Sequence, residues 1–127
     1  MIRALQIGYR HLDLAEAYGN LKIVKEALYT ALKPISDGGL EIPRSSLFLT
    51  MKVFKISGTN HIASLLERVG VDYFDLLLYH SPTAHFGSQT TMEVNWQKLI
   101  IEKQIGNALH IGVSNFYEQH LIRLLKY

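Results

Sequence analysis

The stretch YFDLLLYH, residues 73–80, decides the fold class of this chain because it is almost continuously apolar. Such a run is typical of a strand buried on both faces, as in parallel sheets covered by helices. Similar short runs occur in LFLTMKVF, residues 47–54, and in ALHIGVS, residues 108–114, and a fourth begins GYRHLDLAEAYGN, residues 8–20. A polar loop is expected over residues 81–90. We therefore expect four strands.

Segments with helical spacing of apolar residues follow each predicted strand. They are residues 20–33, 59–70, 91–106 and 115–127. Asn20 is a good N-cap for the first of them, and Gly70 suits a left-handed end of the second. Leu121, Leu124 and Leu125 are predicted to lie together on one side of the last helix.

Four strand-then-helix units in series predict parallel strands joined by right-handed crossovers, so the fold class is α/β. Doubly wound sheets and (β/α) barrels share this pattern. A complete barrel takes about 250 residues and about eight such units, whereas this chain has 127 residues. The spacing of the elements leaves the choice between the two architectures open.

The composition predicts one domain over residues 1–127, because 48% hydrophobic residues supply a core of ordinary size. The formal net charge of +2 comes from charges scattered along the chain, so nucleic acid is not an expected partner. The chain has no cysteine and no run of the roughly 20 apolar residues that a membrane-spanning helix needs. We expect a cytoplasmic protein that has neither a thiolate metal site nor a membrane partner.

The carboxyl ends of the four predicted strands are all polar. Parallel α/β sheets gather their functional side chains at this edge. The residues placed there are Asp13 with Tyr18 in its loop, Lys52, His80, and the pair Ser114 and Asn115. Their convergence predicts one cleft that contains an acid, a base and a cation.

Each of these residues, taken alone, has an ordinary structural interpretation. Lys52 is compatible with a solvated strand end, and Asp13 and Asn115 with caps of the helices that follow them. Tyr18 is compatible with a ring packed on a helix, and His80 with a histidine whose hydrogen bonds a turn satisfies.

Together, the same residues can polarise and protonate a carbonyl group. A tyrosine hydroxyl ordinarily titrates near pH 10, and a nearby ammonium group favours its ionised form. Lys52 can supply that charge to Tyr18, and Asp13 can anchor Lys52. His80 can hold a substrate oxygen beside Tyr18. General acid catalysis of this kind contributes about 10²–10⁴-fold to a rate.

With these residues in place, the sequence resembles the aldo-keto reductases, especially the aldose and xylose reductase branch. GYRHLDLAEAYGN is similar to the first signature of the family, LFLTMKV to its lysine strand and VDYFDLLLYHSP to its histidine strand. IGVSNF is similar to the segment that touches the nicotinamide ring. The resemblance covers about units two to five of a (β/α)8 barrel, so the expected fold is a partial TIM barrel of about four parallel βα units.

The resemblance implies an NADP(H)-dependent reduction of a small aldehyde or ketone to an alcohol. The residues implied to be catalytic are Asp13, Tyr18, Lys52 and His80, and those implied to contact the cofactor are Asp13, Ser114 and Asn115. No metal is implied. The family holds the cofactor phosphates by segments late in the barrel, which lie beyond units two to five.

The sequence also departs from the family pattern. Leu21 stands where the family usually has glutamate, Lys25 stands where it has a small glycine, and the span from Lys52 to His80 is short, which predicts a trimmed helix there. Two open sheet edges are expected for four units, and they favour self-association. Two alternatives stay open: a catalytically inactive paralogue or gene fragment without the cofactor-phosphate site, and an enzyme that uses Lys52 to form a Schiff base.

Overall fold

The structure is a computed structural model that describes residues 1–82 and 90–126. Four strands alternate with helices in these ranges, which confirms the predicted α/β class. The strands are β1 (His11–Ala15), β2 (Phe48–Val53), β3 (Phe74–Tyr79) and β4 (Ala108–Val113). The helices are α1 (Ile2–Gln6), α2 (Leu21–Leu32), α3 (His61–Val69), α4 (Thr90–Gln104) and α5 (Glu118–Leu124).

The four strands form one parallel sheet in the order β1-β2-β3-β4. Asp13 lies opposite Thr50 across the first pair, and Lys52 lies opposite Leu78 across the second. Because the strands are parallel, their carboxyl ends lie along the same edge of the sheet. This edge carries the predicted site residues.

One face of the sheet packs against the helices. Leu14, Met51 and Leu77 lie side by side in the register of β1, β2 and β3, and all three are buried in the core. The first two crossover helices complete this core with the faces that their apolar spacing predicts. These faces are Leu21, Val24, Ala27, Leu28 and Ala31 of α2, and Ile62, Leu65, Leu66 and Val69 of α3. Fully burying one such aliphatic side chain contributes about 1.5–3 kcal/mol, which fixes the orientation of both helices.

The opposite face of the sheet carries Lys52, with Leu78 and Gly112 beside it in the register. A Cβ atom at Gly112 would lie 2.9 Å from Leu78 Cδ2, too close for normal packing. Glycine therefore gives the Leu78 side chain its space on this face, next to the candidate site.

The helix boundaries follow the expected signals, but the expected capping bonds are missing. Asn20 and Asn60 stand at the N-cap positions of α2 and α3, yet neither side chain bonds to its helix. Asn20 has φ −116° and ψ 16°, outside the extended backbone that usually directs an N-cap side chain at the helix. The cap predicted at Asn20 is thus correct in position and wrong in its hydrogen bond. Gly70 ends α3 in the left-handed conformation, with φ 80°.

A lysine joins α2 to the end of α3. Lys25 Nζ donates a hydrogen bond to the backbone oxygen of Glu67 at 2.9 Å, and the Lys25 stem lies against Gly70. Helix α3 has 9 residues, against 12 in α2 and 15 in α4. Its length agrees with the short span that separates Lys52 from His80.

The last helix differs from the sequence expectation. Of the three leucines predicted to share a buried side, only Leu124 is buried, while Leu121 is 40% and Leu125 is 86% exposed. Leu125 lies past the end of α5, at its C-cap, so it does not extend the helical face. The polar loop predicted over residues 81–90 lies mostly outside the described residues.

Within residues 1–82 and 90–126, no helix is long and apolar enough to cross a membrane. The same ranges contain no group of three or more histidine, aspartate or glutamate side chains arranged to bind a metal ion.

Candidate active site

The carboxyl edge of the sheet brings an aspartate and a lysine together. Asp13 lies in β1, and Lys52 lies in β2. Lys52 Nζ donates a hydrogen bond to Asp13 Oδ2 at 2.7 Å. Lys52 as a residue is only 8% exposed, whereas the Asp13 side chain is 59% exposed. Lys52 is therefore a buried, paired cation and not a solvated strand end.

Two opposing effects act on the pKa of Lys52. Burial lowers it, while the Asp13 and Tyr18 side chains beside the ammonium group raise it and prevail. The net pKa is raised, so Lys52 stays protonated through the physiological range. The site holds a fixed positive charge at the end of β2.

Tyr18 is the last residue of a one-turn 3₁₀ helix, Glu16–Tyr18, that follows β1. The turn ends at Gly19, whose φ of 68° is a left-handed conformation that glycine adopts without strain. The Tyr18 ring lies with its centroid 5.2 Å from Lys52 Nζ, and it stands edge-on to the His80 ring at 6.2 Å between centroids. Tyr18 is 49% exposed, so the residue is open to small molecules and is not packed into a helix surface.

His80 directly follows β3, and both its backbone and its ring contact residues at the end of β2. Its backbone N–H donates to the Val53 oxygen at 2.9 Å, and its ring stacks on Phe54 at 4.3 Å between centroids with 9° between the planes. Nδ1 is shielded from solvent and has no hydrogen-bond partner among the described residues. This leaves Nε2 as the ring nitrogen that can face a bound molecule. His80 is therefore not a histidine whose hydrogen bonds are satisfied by a turn.

The protonation of His80 is shifted by its surroundings. Burial lowers its pKa, and the nearby Lys52 ammonium lowers it further, against a smaller opposite effect of Asp13. The net pKa lies below the ordinary value of 6.5, so the ring is neutral at pH 7. A neutral imidazole can donate one hydrogen bond to an uncharged substrate oxygen.

Ser114 and Asn115 follow β4 on the same edge. The Ser114 backbone N–H donates to the Tyr79 oxygen at 2.8 Å. Asn115 has a left-handed φ of 59°, and its Nδ2 donates to the His80 backbone oxygen at 2.8 Å and to Ser114 Oγ at 3.1 Å. The helix that follows has its N-cap at Tyr117. Asn115 therefore connects the ends of β3 and β4 and does not cap α5.

The structure brings Asp13, Tyr18, Lys52 and His80 to one place, with Ser114 and Asn115 joined to it through the His80 backbone. Sequence reasoning missed Phe54, which stacks on His80. The available signal was an aromatic residue that immediately follows the lysine strand at the same edge.

Two further polar residues of the first segment have framework contacts. Arg10 Nη1 donates to the Leu5 and Tyr9 oxygens, both at 2.8 Å. The His11 ring lies 2.9 Å from the Thr50 hydroxyl. Both side chains thus make contacts that hold β1 and its approach in place.

Known proteins resemble this chain over nearly its whole length. The sequence profile of the Aldo/keto reductase family matches residues 1–126. An aldo-keto reductase of Mycolicibacterium vanbaalenii is 40% identical over 95% of this chain and 41% of its own length. An NAD/NADP-dependent indole-3-acetaldehyde reductase of Schizosaccharomyces pombe is 35% identical over 97% of this chain and 41% of its own length.

A solved structure has the same fold. The crystal structure of a Bombyx mori aldo-keto reductase in complex with NADP superposes with a TM-score of 0.83 at 29% identity, over 98% of this chain and 42% of that one. This chain thus spans less than half the length of the relatives that it matches. The similarity confirms the expected partial (β/α)8 barrel, and the family match shows that the chain belongs to the aldo-keto reductase family.

Proposed function

We propose that this chain carries the proton-transfer site of an NADP(H)-dependent reductase that converts a small aldehyde or ketone to an alcohol. The observation that carries the proposal is the Lys52 ammonium group, which is bonded to Asp13 and lies beside the Tyr18 ring. His80 faces the same ring from β3. The names of the relatives support the reaction class, since one of them is an aldehyde reductase.

Tyr18 is the proposed proton donor. When hydride reaches a carbonyl carbon, negative charge develops on the oxygen, and a positioned hydroxyl can transfer its proton there. The Lys52 ammonium stabilises the negative charge that Tyr18 acquires as the proton leaves. Asp13 holds Lys52 in place, and neutral His80 orients the substrate oxygen toward Tyr18.

The residues after β4 suit the nicotinamide end of the cofactor. The amide nitrogen of Asn115 is already a donor to the His80 oxygen, so its Oδ1 remains as an acceptor. Ser114 Oγ accepts a bond from Asn115, so its hydroxyl proton remains to be donated. One acceptor beside one donor complements a primary carboxamide. When bound, the cofactor supplies the hydride, and Asp13 is the third residue proposed to contact it.

The other enzymatic alternative that the sequence left open, a Schiff base formed on Lys52, fits this site less well. A nucleophilic lysine needs its neutral form, which a lowered pKa provides. The Asp13 and Tyr18 neighbours instead raise the pKa of Lys52 over the effect of burial.

A second candidate is a chain that keeps these residues without turnover, as a catalytically inactive paralogue or gene fragment. Residues 1–127 correspond to 41% of the length of the two curated relatives named above. The resemblance places the contacts to the cofactor phosphates outside the units that this chain covers.

The same proposal includes the domain, the substrate class and the cellular compartment of the reaction. We propose that residues 1–127 act as one domain and that the substrate is a small carbonyl compound. The absence of cysteine fits the reducing cytoplasm. Self-association through the open edges of β1 and β4 would place further strands next to the site.

The test of the reductase proposal is a binding and turnover experiment on the 127-residue chain. Titration with NADPH and with NADH, followed by cofactor fluorescence, measures binding, and loss of cofactor absorbance with a small aldehyde measures turnover. We expect binding of NADPH and aldehyde-dependent oxidation of it. Binding without turnover would support the inactive alternative, and the absence of both would contradict the proposal.

A further inference from the structure

The turn that carries Tyr18 is fastened to α3 by its first residue. Glu16 begins the turn, and its carboxylate oxygens lie 3.1 Å and 3.2 Å from His61 Nε2. Arg68 Nη1 is 3.6 Å from Glu16 Oε1. Glu16 therefore contacts the first and the last turn of α3, while Tyr18, two residues later, contacts Lys52 and His80.

A second hydrogen bond fixes which His61 nitrogen carries the proton. The Ser57 backbone N–H donates to His61 Nδ1 at 3.1 Å, so Nδ1 is the acceptor. Nε2 then carries the hydrogen and donates it to the Glu16 carboxylate, even when the imidazole is neutral. A hydrogen bond to a charged partner is roughly twice as strong as one between neutral groups. The His61 side chain is 16% exposed, so solvent competes weakly for this bond.

His61 joins the two segments that carry the reactive groups. Ser57 belongs to the connection that follows β2, the strand of Lys52, and Glu16 belongs to the turn of Tyr18. A backbone bond from Gly19 N–H to the Glu16 oxygen at 3.3 Å closes the turn itself. The Tyr18 residue is 49% exposed, so packing alone holds it weakly. Besides the Tyr18 contacts to Lys52 and His80, the contacts of Glu16 to His61 and Arg68 of α3 hold this turn in place as a side-chain tether.

We propose that His61 is a positioning residue for the reaction: through Glu16 it holds the Tyr18 turn at a fixed distance from Lys52 and His80. The proposal rests on the proposed reductase function. Arg68 contributes less than His61 to holding Glu16, because its side chain is 51% exposed and its Nη1 lies farther from the Glu16 carboxylate than His61 Nε2 does. Loss of the tether lowers the fraction of molecules in which the Tyr18 hydroxyl meets the substrate oxygen, and small misplacements of this kind cost up to about 10²-fold in rate.

The test compares His61→Ala, His61→Gln and the control Arg68→Gln. Glutamine keeps an N–H donor that can reach Glu16, whereas alanine does not. With NADPH and a small aldehyde, we expect His61→Ala to lower kcat about 10-fold or more, with KM within about 2-fold. His61→Gln is expected to restore most of kcat, and Arg68→Gln to stay near the wild-type value. An unchanged kcat in His61→Ala, or an equal loss in His61→Gln, would overturn the proposal.

Amide hydrogen exchange at residues 16–19 gives a readout that does not need turnover. We expect faster exchange there in His61→Ala and exchange near the wild-type rate in His61→Gln. If the wild-type chain reduces no aldehyde but the exchange rates change as expected, the role of His61 in holding the Tyr18 turn is confirmed and the proposed reductase activity is contradicted. Unchanged exchange at residues 16–19 in His61→Ala would overturn the tether whatever the activity.

Discussion

At the scale of single residues, the two titrating groups that face Tyr18 are shifted in opposite directions. The pKa of Lys52 is raised because its neighbours prevail over burial, and the pKa of His80 is lowered by burial and by Lys52. One side of Tyr18 is therefore a permanent cation and the other a neutral imidazole. This division suits a reaction that transfers one proton from Tyr18 to an uncharged oxygen.

The protonation of His80 gives a pH-dependent prediction. An NMR titration, with His80 identified by comparison with His80→Gln, should give a pKa below 6.5. Lys52→Met should raise that pKa only in part, because burial remains. The unfolded chain binds this proton more readily, so His80 should make the folded state less stable as pH falls from its ordinary pKa through its folded pKa. A pKa at or above 6.5 in the wild-type chain would contradict this account.

The positions of the candidate site residues were predictable from the sequence because parallel strands end at one edge. Asp13, Lys52 and His80 could be assigned to that edge from strand patterns alone. His61 could not, because its contacts depend on the path of the connection after β2. That connection, residues 54–60, has no periodic pattern from which a side chain direction could be read.

At the scale of secondary structure elements, Asp75 links the start of β2 to the start of β3. It is 8% exposed, and its Oδ2 accepts hydrogen bonds from the Leu49 N–H at 2.7 Å and from Arg44 Nη2 at 2.8 Å. Arg44 also donates to the Tyr73 oxygen at 2.9 Å. The sequence offered no signal for this contact, because a single carboxylate inside an apolar run does not identify its partners.

Asp75→Ala should lower the free energy of unfolding by about 3 kcal/mol, since it leaves the buried Leu49 N–H without its acceptor and the partly buried Arg44 guanidinium without its charge partner. Asp75→Asn should cost less, because its side-chain oxygen can still accept from Leu49. Urea unfolding measures both changes. The matched control is Asp72→Ala on the exposed approach to the same strand, which should stay within about 0.5 kcal/mol of the wild type. Equal effects at positions 72 and 75 would contradict the structural role of Asp75.

The helices show what local signals can and cannot predict. The buried faces of α2 and α3 agree with their apolar spacing, because burial is the dominant free energy at those positions. The cap predicted at Asn20 was correct only in its position, since the side-chain hydrogen bond depends on backbone angles that residue preference does not determine. At α5, only Leu124 of the three leucines is buried, and Leu125 is exposed because the helix ends before it.

At the scale of the whole molecule, the described sheet has two edge strands, β1 and β4, each paired on one side. Unpaired edges of parallel strands favour association with further strands. Two copies of residues 1–127 supply eight described strands, the number in a closed barrel of this class. We therefore predict that the isolated 127-residue chain associates through these edges.

Sedimentation velocity over a range of concentrations tests this expectation. We predict a species of twice the 14.5 kDa chain mass that grows with concentration. Leu109→Lys, at an exposed position of β4, should weaken association by placing a charge at the edge. Ile23→Lys, at an exposed position on α2, is the control and should not. A single 14.5 kDa species at every concentration would contradict edge pairing.

The most direct test of the proton-transfer site is the effect of one hydroxyl group on turnover. Tyr18→Phe keeps the ring beside Lys52 and removes only the proposed proton donor, while Tyr9→Phe removes a hydroxyl from a residue that is 62% exposed and outside the site. We predict that Tyr18→Phe lowers kcat for NADPH-dependent aldehyde reduction by about 10²-fold or more, with NADPH affinity within about 2-fold. Tyr9→Phe should match the wild type. A Tyr18→Phe variant that turns over at the rate of the Tyr9→Phe control would contradict the assignment of Tyr18 as the proton donor.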